Sequence, residues 1–210
     1  TGKTLIAVEE AKRLSDEGRT VLFLCFNHFL CEHLNENCQY ANVKYFNLHR
    51  LLYNFSGNYN IKDDEYLDIL NKIKDKLYFQ DIIIDEAQDL NDDVINFFSK
   101  LSDENDGKFY VLYDKNQLIY QRKNAEWIEK SECKLVLSKN CRNTLQIAVT
   151  SNNIIDINAK WNDNIVSGDM PQIIFAKDKD LTLLAIEKLI KEYKSKGFKN
   201  NEITILTTLT

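Results

Sequence analysis

Short, uninterrupted apolar runs separated by helix-like stretches are the feature that most narrows what this 210-residue chain can fold into. The first run, Val21-Leu22-Phe23-Leu24-Cys25-Phe26, does not alternate with polar residues. A strand of that kind needs helices over both of its faces. Similar runs recur at Ile82–Ile84, Phe109–Leu112, Leu135–Leu137, Ile173–Phe175 and Ile203–Leu206. Around them lie stretches with apolar residues three or four apart: Thr4–Glu17, Phe29–Asn35, His49–Asn54, Asp63–Lys76, Asp92–Leu101, Thr144–Ile157 and Asp180–Lys196. In the first of these Leu5, Val8, Ala11 and Leu14 share a face, and Gly18 supplies a C-cap. The alternation predicts an α/β fold with a largely parallel sheet flanked by helices.

The polar stretch from Asn54 to Asp64, which contains Gly57, reads as a surface loop. Ala159 to Pro171, with Gly168 and the only proline, separates a helix from a fresh strand-helix-strand unit. One large or two smaller domains fit this length, and a second domain, if there is one, starts at or near Lys134, which divides the chain into 1–133 and 134–210. At 44% hydrophobic and 28% charged residues the chain has the balance of a globular protein with a sizeable core, which excludes a disordered or disulfide-scaffold class. With 27 Lys and Arg against 32 Asp and Glu, the net charge of −5 supplies no global field for nucleic acid, so any such binding must be local. Cys25, Cys31, Cys38, Cys133 and Cys141 show neither a Cys-x-x-Cys nor a zinc spacing and read as reduced core residues of a cytoplasmic protein. The longest apolar run is strand-sized, so no membrane partner is expected.

Two local patterns carry chemistry. Thr1-Gly2-Lys3-Thr4 passes straight into a helix and matches the back half of a phosphate-binding loop, Gly-x-x-x-x-Gly-Lys-[Ser/Thr]. There the backbone N–H groups and helix N-terminus cradle phosphates, the Lys ammonium neutralises them and the hydroxyl ligates Mg²⁺. Asp81-Ile82-Ile83-Ile84-Asp85-Glu86-Ala87-Gln88-Asp89 is an apolar strand that ends in adjacent carboxylates. Ligands of open parallel sheets sit at the carboxyl ends of strands, which suits Asp85 to a metal and Glu86 to an attacking water. The alternative reading is an acidic turn that complements a helix N-terminus. Asp114 and Gln117 also follow an apolar run, and Arg142 precedes a helix where a guanidinium suits transition-state phosphate charge.

In order along the chain, these residues resemble superfamily 1 helicases of the UvrD/Rep type. Gly2-Lys3-Thr4 and Asp85-Glu86-Ala87-Gln88-Asp89 resemble motifs I and II. Val21 to Asn27 resembles motif Ia, and Asn47-Leu48-His49-Arg50-Leu51 resembles motif Ib. Asp114 to Tyr120 resembles motif III, and Asn140-Cys141-Arg142-Asn143 resembles motif IV. The resemblance implies a RecA-like P-loop NTPase domain with the start of a second, as a fragment of an ATP-dependent helicase or translocase on single-stranded DNA, with RNA also open. It implies an ATP site at Gly2, Lys3, Thr4 and Arg142, with Mg²⁺ on Thr4 and Asp85. Catalytic roles fall on Glu86, Asp85, Gln117 and Arg142, and DNA contacts on Asn27, His28, Asn47, His49, Tyr120 and Arg122.

Departures from that pattern matter for function. Cys141 stands where relatives often carry an adenine-stacking aromatic, and Gln121 and Arg122 stand where many place a base-stacking one. A regulatory P-loop ATPase switch without unwinding activity is therefore the second expectation. The 210-residue chain alone is expected to hydrolyse ATP weakly or not at all, and other domains of the parent protein are expected partners.

Overall fold

Strand β1, Val21–Cys25, lies inside a four-stranded sheet of order β2-β1-β3-β4, with β2 at Val43–Phe46, β3 at Asp81–Asp85 and β4 at Phe109–Val111. All three pairings are parallel, and the register sets Val21 beside Val43 and Asp81, and Cys25 beside Asp85. This computed structural model describes residues 2–58, 60–114, 126–129, 131–137, 139–140, 143–155, 160–161 and 163–207. The chain divides into two compact units, Thr1–Cys141 and Arg142–Thr210.

In the first unit the helices are α1 (Lys3–Asp16), α2 (His28–Asn37), α3 (Leu48–Ser56), α4 (Tyr66–Ile73), α5 (Asp92–Glu104) and the short α6 (Glu126–Glu129). Side chains alternate across a strand, and here both sides are buried. Leu22, Leu24, Ile82 and Ile84 pack with Leu51, Leu52, Leu70, Ile95 and Phe98 of α3, α4 and α5. Val21, Phe23, Cys25 and Ile83 pack with Ala7, Ala11 and Leu14 of α1 and Cys31 and Leu34 of α2. Burial on two faces is the reason β1 and β3 read as continuous apolar runs, and the expected α/β class with a parallel sheet between helices is the one observed.

Strand β2 was not among the expected strands. It is a four-residue edge strand in which Lys44 is exposed between buried Val43 and Tyr45, too short for alternation to stand out. The expected strands at residues 135–137, 173–175 and 203–206 are not strands in the structure. Leu135, Val136, Ile173, Ile174, Phe175, Ile205 and Leu206 are exposed. An apolar run records a demand for burial, whereas a strand also needs a ladder partner, and these three segments have none among the described residues. Cys25 and Cys31 are buried, but Cys133 is exposed, against the expectation of a core role, and Cys141 lies outside the described residues.

The second unit holds α7 (Leu145–Ile155) and α8 (Lys179–Ser195). Asp178 caps α8 by accepting from the Leu181 N–H at 2.9 Å. Gly168 lies so close to Thr144, the residue ahead of α7, that a Cβ would meet the Thr144 side chain at 2.6 Å. The Gly168 N–H donates to Gln146 Oε1 at 2.7 Å. No helix among the described residues is long and apolar enough to cross a membrane.

Candidate functional site

In a parallel sheet every strand ends on the same edge. Cys25, Phe46, Asp85 and Val111 are the last residues of their strands, so the loops that follow them converge. Helix α1 reaches the same edge. It starts after Gly2, whose φ of 82° is left-handed and suits glycine, and Gly2 O accepts the Ile6 N–H at 3.1 Å to close the first turn.

Across this edge the first turn of α1 meets the end of β3. Thr4 Oγ1 donates to Asp85 Oδ2 at 2.6 Å, and Asp85 Oδ1 accepts the Glu86 N–H at 3.1 Å. Asp85 is fully buried, and burial holds its carboxyl above the ordinary range although the Thr4 hydroxyl pulls the other way. Thr4 and Asp85 thus bring two oxygen donors together, one ionisable, the kind of partial set a hard cation takes when other ligands complete its shell. Glu86 has φ 55° and ψ 46°, a left-handed conformation that costs a non-glycine residue roughly 1–2 kcal/mol. The turn it begins, Ala87–Asp89, is pinned to the sheet by the Ala87 N–H, which donates to Leu112 O at 2.9 Å. Asp89 nearby is also pushed up, by burial and then by the Glu86 charge.

Lys3 ion-pairs with Asp114, Nζ to Oδ2 at 3.8 Å, with 18% and 32% of the two side chains exposed. A carboxylate therefore holds the Lys3 ammonium at this edge of the sheet. Gln88 links the two halves: its Nε2 donates to Glu86 Oε2 at 2.7 Å, and its Oε1 accepts the Asp114 N–H at 3.0 Å.

A family model for the Schlafen group 3 DNA/RNA helicase domain matches residues 1–196. The chain belongs to this family. The match establishes a helicase-related family and does not single out the UvrD/Rep type. Comparison with curated proteins gives no match.

In this Schlafen helicase domain Gly2, Lys3, Thr4, Asp85 and Glu86 are gathered within one constellation. Gln117, Tyr120, Arg122 and Arg142 lie outside the described residues. The candidate nucleic-acid residues Asn27 and Asn47 each follow a strand end and serve as helix N-caps. Asn27 Oδ1 accepts from the Leu30 N–H at 3.2 Å, and Asn47 Oδ1 from the Arg50 N–H at 2.8 Å. His28 is exposed, with Nδ1 3.4 Å from Glu32 Oε2. His49 is exposed as well and shares a 2.6 Å hydrogen bond with the Tyr66 hydroxyl.

An open cleft of about 260 Å³ is lined by Phe26, Asn27, Glu86, Gln88 and Asp89, so one candidate nucleic-acid residue and the candidate base share its walls. Sequence reasoning set Asp114 after an apolar run and Gln88 within the acidic motif, but assigned neither a role of its own. The available signal was that both belong to the two acidic segments at strand ends; what was missing is the hydrogen bond between positions 26 residues apart.

Proposed function

We propose that this Schlafen-family helicase domain is the ATP-hydrolysing motor module of a helicase or translocase of the superfamily 1, UvrD/Rep-like type. Single-stranded DNA is its first candidate track and RNA the second, in a cytoplasmic protein whose other domains complete the machine. The observation that carries the reading is the Thr4–Asp85 contact at the carboxyl edge with Glu86 next in the chain. The donor chemistry fits MgATP: a hydroxyl and a buried carboxylate for the cation, a lysine for the phosphates, and a second carboxylate beside them.

When bound, MgATP supplies an activated phosphoryl group and a divalent charge that neutralises its oxygens. Lys3 would hold phosphate oxygens in place of Asp114, and Thr4 and Asp85 would hold the cation. Glu86 orients the attacking water and takes its proton at a carboxylate oxygen. From the resemblance, Gln117 senses the terminal phosphate and Arg142 stabilises its developing charge. Asn27, His28, Asn47, His49, Tyr120 and Arg122 hold the nucleic-acid strand through contacts that position it without reading sequence.

The test is steady-state ATPase activity of the full-length protein with no nucleic acid, with single-stranded DNA and with single-stranded RNA, beside Glu86→Gln. We expect stimulation by a single strand and a loss of about 100-fold or more in Glu86→Gln with nucleotide binding retained. Hydrolysis that Glu86→Gln leaves intact would remove the base assignment. The second reading is a P-loop ATPase switch, favoured by the engagement of the Asn27 and Asn47 side chains as helix caps. ATPase activity indifferent to both DNA and RNA would select it.

A further inference from the structure

We infer that Gln88 is a positioning residue: it holds the Glu86 carboxylate in place for the attacking water and ties that placement to Asp114, the residue that holds Lys3. The inference rests on the ATPase reading above. Gln88 is 1% exposed, so its amide is shielded from water that could replace either hydrogen bond. The amide can be oriented in only one sense. A backbone N–H only donates, so the Asp114 N–H requires Oε1, and this leaves Nε2 for the carboxylate of Glu86, which accepts at 2.7 Å.

The Glu86 backbone is held by the strand end and the Ala87–Asp89 turn. Its half-buried side chain still has several rotatable bonds that must be restrained before its oxygen can meet a water in line with a phosphorus. The Gln88 amide supplies that restraint from a buried anchor. Through Asp114 the same amide touches the residue whose carboxylate sits 3.8 Å from Lys3 Nζ. The chain Lys3, Asp114, Gln88, Glu86, Asp85, Thr4 closes on itself, because Thr4 follows Lys3 and donates to Asp85. The base and the phosphate-binding lysine are therefore set by one connected circuit, with Gln88 as its only link that is neither charged nor a phosphate or metal ligand in the proposed site.

Gln88→Glu separates the two ends of the amide. It keeps an oxygen for the Asp114 N–H and loses the donor to Glu86. Gln88→Met keeps the shape without polar atoms and serves where a second buried carboxylate harms folding. In the full-length protein with saturating ATP and single-stranded DNA, both variants are expected to lower kcat by about 10–100-fold, with affinity for a fluorescent ADP analogue held within about twofold. Thermal unfolding reports whether each variant is folded. In single-turnover hydrolysis on a Glu86→Gln background, the same substitutions are expected to add less than about twofold, since no carboxylate remains to be positioned. Unchanged kcat in both variants overturns the inference, as does an equal further loss in both backgrounds, the signature of a space-filling role. A wild-type protein with no ATPase under any condition would instead overturn the function on which it rests.

Discussion

The Thr4 hydroxyl donates to Asp85 Oδ2 across 2.6 Å and so joins the first turn of α1 to the end of β3, 81 residues away in the chain. This donor opposes the burial that holds the Asp85 carboxyl above the ordinary range, and it brings the two candidate cation ligands together. Thr4→Val removes the donor at constant shape. It is expected to lower magnesium-dependent hydrolysis by about 100-fold and stability to denaturant by about 1.5 kcal/mol. Thr4→Ser keeps the hydroxyl and should behave nearly as wild type. Equal activity in the Val and Ser variants would remove Thr4 from the site.

At the other end of the sheet Arg19 grips the fully buried Asp81 with two hydrogen bonds, Nε to Oδ2 at 2.5 Å and Nη2 to Oδ1 at 2.7 Å. Asp81 Oδ1 also accepts the Lys108 N–H at 2.8 Å. Arg19→Ala would leave a buried carboxylate without its cation, at a cost of about 3 kcal/mol in urea unfolding. The pair lies at the strand start, so nucleotide affinity below the unfolding transition should not change. A stability loss under about 1 kcal/mol would mean that Asp81 finds another partner or water.

Glu10 makes one contribution to stability depend on pH. The Arg13 guanidinium, followed by the Tyr110 hydroxyl at 2.5 Å, holds its carboxyl below the ordinary value of 4.5. A folded-state value below the unfolded one means that the stabilisation is complete above about 4.5 and is lost as pH falls through the lower folded value. Glu10→Gln should therefore lower Tm at pH 7 by about 2 °C, and less at pH 3, given a partly exposed pair worth about 0.5–1 kcal/mol. A Tm difference that grows on acidification would contradict this assignment.

Gly107 is a position where no larger residue fits. A Cβ there would stand 1.7 Å from the Gln80 carbonyl oxygen, which is backbone and cannot swing aside. The Gly107 N–H is meanwhile committed to Ser102 O at 2.9 Å. Gly107→Ala should shift the turn between α5 and β4 and cost about 3 kcal/mol in denaturant unfolding. A near-neutral substitution would show that this turn has room to move.

Much of the fold was legible because burial on both faces is a local property of a strand: Val21 to Cys25 and Ile82 to Ile84 had to be apolar throughout, and they announce themselves. The helices were legible from apolar spacing, with starts such as those after Asn27 and Asp178 displaced by one residue, because caps act outside the periodic pattern, and with C-terminal ends displaced by up to three. Carboxylates directly after an apolar strand marked Asp85 and Glu86 as edge residues before any partner was known.

Partners that lie far apart along the chain were decided by the tertiary structure. Apolar runs at residues 173–175 and 203–206 carry the local signature of strands, yet a strand exists only where a neighbour supplies its hydrogen bonds. Val43–Phe46 lacks a strong signature and is a strand because β1 pairs with it. The same holds in the site. Gln88 is one polar residue within an acidic segment until the fold brings the Asp114 N–H to one side of its amide and the Glu86 carboxylate to the other. Sequence alone determined which residues must be buried or carry charge at a strand end. The tertiary structure decided which of them meet, because a hydrogen bond is directional and has to be completed by atoms that no local pattern specifies.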